Sequence, residues 1–259
     1  MKTIILAGGY GSRLSEETAT IPKPLVEVAG RPLIWHIMRH YASYGFNDFI
    51  VACGYKADKI KEYFLNLSLT SNDFTVDIAQ NKTSILADKR PNWMVTLVDT
   101  GLGTATGGRI KKIEETGILN DDDTFMMTYG DGVSDVNIEK LERFHQSHKK
   151  KATLTAVPMP RFGMLEMKDA KVVSFKEKRL HDAPLISGGF FVLNKSVLDY
   201  IEDYKTPFET TPLEGLAKDD ELRAFKHMGY WRCCDTLKDK QLMEEELHNM
   251  ELDASSVKG

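Results

Sequence analysis

Thr3-Ile4-Ile5-Leu6-Ala7 is an apolar run without the alternation of a half-exposed strand. It predicts a short strand buried on both faces, as in a parallel sheet. The loop Gly8-Gly9-Tyr10-Gly11-Ser12-Arg13 follows, and Pro22, Pro24 and Gly30 punctuate the next stretch. Leu33, Ile34, Ile37, Met38 and Tyr41 recur at helical spacing and predict a helix over 32–44. Phe49–Ala52 reads as a second strand and Asp58–Leu65 as a second helix. Strand-helix-strand alternation of this kind predicts an α/β fold around a mostly parallel, doubly wound sheet. A right-handed crossover then places the glycine-rich loop at the carboxyl end of the first strand. Further strands are expected at 75–78, 95–98, 124–128, 153–157, 171–175 and 188–193. Helices are expected from Arg109, over 138–148, up to about 218, and in the charged tail from Lys238. With no repeat, low-complexity linker or clear break, residues 1–259 read as one domain.

Composition narrows the classes. Hydrophobic residues make up 42% and charged residues 28% of the 259, enough for a substantial core and against disorder. Lys plus Arg total 34 against 38 Asp plus Glu. There is no basic excess to drive nucleic-acid binding, so any phosphate must be handled by a local site. The three cysteines, Cys53, Cys233 and Cys234, are too sparse for a disulfide framework, and adjacent Cys233 and Cys234 are not a metal pair of the CxxC kind. Ile4–Ala7 is too short for a signal-peptide core, and no apolar run approaches the ~20 residues of a membrane span. A cytoplasmic protein with no membrane partner is expected.

The candidate chemistry begins in the first loop. Glycines allow backbone amides to approach phosphate oxygens closely, and Arg13 can bind a phosphate through two N–H groups. A plain strand-to-helix turn would show the same glycines. Their spacing fits neither the dinucleotide fingerprint nor a P-loop, which would close on Gly-Lys-Ser/Thr. Pro22-Lys23-Pro24 fixes the backbone around one ammonium, which can neutralise a polyphosphate. Gly130-Asp131-Gly132 closes an apolar strand, where a carboxylate suits Mg²⁺ with phosphate oxygens or forms an ordinary Asp-Gly turn. His36, His40, His145 and His148 lie at helical spacing and read as boundary residues rather than ligands.

Leu6-Ala7-Gly8-Gly9-x-Gly11-Ser12-Arg13-Leu14, followed by Pro22-Lys23-Pro24-Leu25-Val26, resembles the signature of the sugar-phosphate nucleotidylyltransferases. Thr106-Gly107-Gly108-Arg109, Tyr129-Gly130-Asp131-Gly132-Val133, Gly188-Gly189-Phe190-Phe191 and Asp235-Thr236-Leu237-Lys238 extend the likeness over nearly all of residues 1–245, toward the branch that makes CDP-glucose. The resemblance implies a Rossmann-like mixed, mostly parallel sheet of the nucleotide-diphospho-sugar transferase type, with small β insertions. Residues 1–135 would mainly bind nucleotide, 136–240 the acceptor, and 241–259 form a charged tail.

It further implies Mg²⁺-dependent transfer from CTP to glucose 1-phosphate, giving CDP-glucose and pyrophosphate for surface-polysaccharide synthesis. Arg13, Lys23 and Asp131 would be catalytic, and Asp131 with Asp235 would hold the metal. The nucleotide would meet Leu6, Ala7, Gly8, Gly9, Gly11, Ser12, Arg13, Lys23, Gln80, Thr106, Gly107, Gly108, Arg109 and Gly130. The phosphorylated acceptor would meet Glu177, Lys178, Gly188, Gly189 and Trp231, and the enzyme would be a homo-oligomer. Ile21, Arg179 and Ser187 depart from the branch pattern around the acceptor. They leave open another sugar 1-phosphate or a small carboxylate-bearing phosphate. An inactive nucleotide-binding relative is the further alternative.

Overall fold

The computed structural model describes residues 1–86, 90–159, 164–176 and 183–256. Its central sheet grows from three parallel strands: β1 (Thr3–Ala7), β2 (Asp48–Cys53) and β3 (Met94–Asp99). Helix α1 (Leu33–Ala42) connects β1 to β2, and α2 (Ala57–Thr70) lies between β2 and β3. Helix α3 (Thr106–Glu115) then returns the chain to β4 (Thr124–Tyr129), which pairs in parallel with the other side of β1.

Alternate residues of β1 serve two cores. Ile5 and Ala7 join the cluster that contains Ile34, Ile37 and Met38 of α1. Ile4 and Leu6 join the cluster that contains Ile110 and Ile113 of α3. Successive side chains of a strand point to opposite faces, so a strand covered on both sides must be apolar throughout.

Beyond β4 the sheet turns antiparallel. A short strand β5 (Gly132–Ser134) and helix α4 (Ile138–His148) lead to β6 (Ala152–Pro158), β7 (Leu185–Ser187) and β8 (Phe191–Asn194). The order runs β6-β8-β4-β1-β2-β3, with β7 on the same edge of β6 as β8, and β9 (Leu222–Lys226), which follows α5 (Thr211–Lys218), pairs in parallel with the other edge of β6. Finally β10 (Trp231–Cys233) pairs with β5, and α6 (Leu237–Ser256) closes the described chain.

The expected strands at 171–175 and 75–78 are present, each outside the central sheet, and one strand start is corrected. The strand at 171–175 belongs to a separate hairpin, Met164–Lys168 with Lys171–Lys176. The expected strand at 75–78 is half of another hairpin, Phe74–Asp77 with Lys82–Ile85. The expected strand at 188–193 begins only at Phe191, because Gly189 (φ 74°) and Phe190 (φ 50°) are left-handed and break the ladder against β6. No described helix is long and apolar enough to cross a membrane.

Candidate active site

Strand order reverses between β1 and β4: the chain runs outward to β3, then comes back to the far side of β1. In open α/β sheets the carboxyl ends of the strands at such a reversal frame a crevice. Here they frame a cleft of about 730 Å³ that takes in the loop after β1, the turn after β4 and residues of β10.

Gly8 is sterically required in that loop, since a Cβ there would lie 2.1 Å from the Arg109 guanidinium. Gly9 faces open space, and Gly11 (φ 64°) starts a single helical turn, Ser12–Leu14, that carries Arg13. The Arg13 side chain is 70% exposed, and its Nη1 lies 2.8 Å from Asp235 Oδ2. Pro22 is extended and a second short turn, Lys23–Leu25, follows it, directing Lys23 inward. Lys23 Nζ lies 2.6 Å from Asp131 Oδ2 and 2.8 Å from Asp235 Oδ1.

Two strand ends bring the aspartates together. Gly130 N donates to Leu6 O at 3.0 Å, and a Cβ on Gly130 would stand only 3.0 Å from that oxygen, so the turn after β4 lies flat on β1. Cys233 of β10 pairs with Gly132 of β5, and Cys234 N donates to Asp131 O at 3.0 Å. Burial opposes the charge on Lys23, but Asp131 and Asp235 outweigh it and hold the ammonium above the usual lysine range. Burial likewise opposes the charge on Asp235, yet Lys23 and Arg13 hold this carboxyl below the usual range.

The donor atoms of Asp131, Cys233 and Asp235 all lie within 4.8 Å of one another. Two carboxylates are the hard oxygen ligands Mg²⁺ takes, and a buried ammonium bridging them shows that the position favours a cation. Burial, and then Asp131, push the Cys233 thiol up, and sulfur is a soft donor that Mg²⁺ does not select. The residues present therefore fit a magnesium ion.

Of the expected nucleotide residues, Leu6, Ala7, Gly8, Gly9, Gly11 and Ser12 line the cleft, together with Thr106, Arg109 and Gly130. Arg109 is buried and crosslinks backbone: it donates to Gly8 O at 2.9 Å, Cys53 O at 3.1 Å, Gly101 O at 3.0 Å and Thr100 Oγ1 at 2.5 Å. Gly107 and Gly108 are packing residues outside the cleft lining. A Cβ on Gly107 would meet Thr206 O at 2.6 Å, and one on Gly108 would meet Tyr204 O at 2.2 Å. Gln80 is exposed at the turn of the 74–85 hairpin, also outside that lining.

Of the residues expected to meet the acceptor, Trp231 Nε1 donates to Gly188 O at 2.7 Å, and both residues line the cleft. Gly189 lies behind them, where a Cβ would meet the Tyr129 ring at 3.0 Å. Ser187 lines the cleft, whereas Ile21 packs on the core. Glu177, Lys178 and Arg179 lie outside the described residues.

The residue reading missed Thr104, Tyr129, Met159, Ile186 and Cys233, all in the lining. Strand alternation is the signal that could have found Cys233: it sits two residues before Asp235, while Cys234 between them is buried in the core.

The family description "Nucleotidyl transferase" matches residues 2–239. Glucose-1-phosphate cytidylyltransferase of Salmonella typhimurium is 50% identical over 245 residues, covering 94% of this chain and 95% of that protein. A probable glucose-1-phosphate cytidylyltransferase of Bacillus subtilis is 42% identical, with 92% of each chain covered. Among solved structures, HddC from Yersinia pseudotuberculosis complexed with GMP-PN superposes with a TM-score of 0.67 at 24% identity, over 95% of this chain and 99% of that one. That last likeness is one of fold.

Proposed function

The chain belongs to the nucleotidyl transferase family, and from that premise we propose that it transfers a cytidylyl group from CTP to glucose 1-phosphate, releasing pyrophosphate. The observation that carries the chemistry is Lys23 held between Asp131 and Asp235 at the switch point, with exposed Arg13 at its mouth. The choice of CTP and glucose rests on the 50% identity to a relative of that name, at 95% coverage of its length.

An oxygen of the acceptor phosphate attacks the α-phosphorus, and the bond to the β-phosphate oxygen breaks. A phosphate monoester is already anionic at neutral pH, so no general base is needed. Catalysis is positioning and charge neutralisation. The glycine loop presents amides to the phosphates. Arg13 and Lys23 pair with the β- and γ-phosphates and hold the pyrophosphate as its charge develops. Asp131 and Asp235 would hold Mg²⁺, whose contribution when bound is to neutralise phosphate oxygens and align them. Trp231 and Gly188 wall the acceptor side.

The test is pyrophosphate release across four nucleoside triphosphates and a panel of sugar 1-phosphates. The reading expects CTP with glucose 1-phosphate to give the highest kcat/KM. A different pair exceeding it a hundredfold would overturn the assignment, and a different sugar with CTP retained would overturn only the acceptor.

A further inference from the structure

The segment 203–210 lies as a strap across the start of α3. Ala105 N donates to Tyr204 O at 2.9 Å, and Phe208 N donates to Thr106 Oγ1 at 2.8 Å. At the end of the strap, Glu209 accepts two hydroxyl protons. Its Oε2 takes the one from Thr106 at 2.5 Å, and its Oε1 takes the one from Tyr129 at 2.6 Å. Thr106 and Tyr129 both line the cleft, while Glu209 is exposed at its rim.

An ionised carboxylate only accepts hydrogen bonds, and a hydroxyl has one proton to give. With both protons committed to Glu209, Tyr129 Oη and Thr106 Oγ1 can offer a ligand lone pairs alone. A tyrosine phenol keeps its proton at neutral pH, so Tyr129 has that proton to give. The neighbouring Gly8 carbonyl is already taken by Arg109 and by Tyr55 N at 3.1 Å. Gln80, also expected to meet the nucleotide, is outside the cleft lining.

We propose that Glu209 is a positioning residue that fixes the Tyr129 and Thr106 hydroxyls as acceptors, and so favours a base edge carrying an amino donor, as in cytosine, over one carrying a carbonyl, as in uracil. The proposal rests on the reading of this cleft as the CTP site. A carbonyl set against lone pairs leaves both sides unpaired on burial, which is how polar sites reject near-isosteric ligands.

The experiment compares kcat/KM for CTP and UTP, with glucose 1-phosphate, in the parent, Glu209→Gln and Tyr129→Phe, with Tm recorded for each. A Gln amide can accept only one of the two hydroxyl protons, and its NH₂ donates to the other oxygen, which frees that proton to face the cleft. Glu209→Gln should therefore lower the CTP-to-UTP ratio at least tenfold, with UTP gaining in absolute terms. Tyr129→Phe should lower the same ratio at least threefold through loss on CTP alone, and it decides the matter if Glu209→Gln does not fold. Equal losses on both nucleotides, whatever the Tm, would show that Glu209 only fastens the strap and would overturn the inference. A parent that does not prefer CTP would overturn the proposed function instead.

Discussion

Gly8 and Gly9 are adjacent in sequence but answer to different physics. A Cβ on Gly8 would collide with Arg109, whereas one on Gly9 would meet nothing within 4 Å. Gly8→Ala should therefore lose about 1–3 kcal/mol, the usual range for overpacking, seen as a fall in Tm. Gly9→Ala should keep its Tm within about 2 °C of the parent, near the scatter of surface substitutions, and raise KM for CTP, because the added methyl stands in the loop proposed to meet the phosphates. Lys23 poses the opposite problem. Its side chain and that of Asp235 are 11% and 9% exposed, so Lys23→Met would leave Asp235 buried beside Asp131 without the central cation. Breaking a buried pair from one side typically costs about 3–5 kcal/mol, and turnover should vanish with it. Asp131→Asn removes a charge without a volume change, and should cut kcat at least 100-fold, equivalent to about 2.7 kcal/mol, in a protein that still melts cooperatively. Full turnover in Asp131→Asn at saturating Mg²⁺ would refute the metal assignment.

Among the elements, α3 and α4 illustrate what a sequence pattern reveals and what it conceals. Thr106-Gly107-Gly108-Arg109 is visible as a motif, but its glycines answer to a strap about 100 residues further along, which no local pattern announces. Gly108→Ala should cost at least about 2 kcal/mol, because the obstacle is the backbone of Tyr204 rather than a side chain that can swing away. On α4 the periodicity gives the helix at its observed bounds, 138–148; His148 is the expected boundary residue, whereas His145 is buried, and His145 Nδ1 and His148 Nε2 lie 2.9 and 2.7 Å from Thr153 Oγ1. Burial first, and for His148 also the neighbouring His145, hold both below the ordinary value of 6.5. The folded state then binds fewer protons than the unfolded chain as the pH drops through 6.5, so this stability is present above 6.5 and is lost on acidification. The Tm should fall between pH 7.5 and 5, and His145→Gln should flatten that fall. The short strands β5 and β10 escaped the sequence reading because three residues carry no periodicity.

Over the whole molecule, the legible part is the layered sheet. A strand apolar on both faces, followed by alternating helices and strands, predicts helices above and below and the glycine-rich loop at the carboxyl end of the first strand, and the structure has both. That Arg13 and Asp131 sit near the carboxyl ends of β1 and β4 was legible from the loops that close those strands, and the structure gathers them with Lys23 and Asp235. The rim around Glu209 and Tyr129 was not, because it exists only after distant segments meet. The same long reach has a consequence in time. Lys23 and Asp235 touch across 212 residues of chain, and Lys240 of α6 reaches back to Glu17 across 223. At ~5–20 residues per second, roughly 10–40 s of synthesis separate the two halves of the charged cluster. Throughout that interval the first crossover units can already be folded on the ribosome, yet the nascent chain lacks the second carboxylate. On the proposed reading of Asp235, a chain cut short before residue 235 should release no pyrophosphate at all rather than release it slowly, which assay of a truncated chain checks.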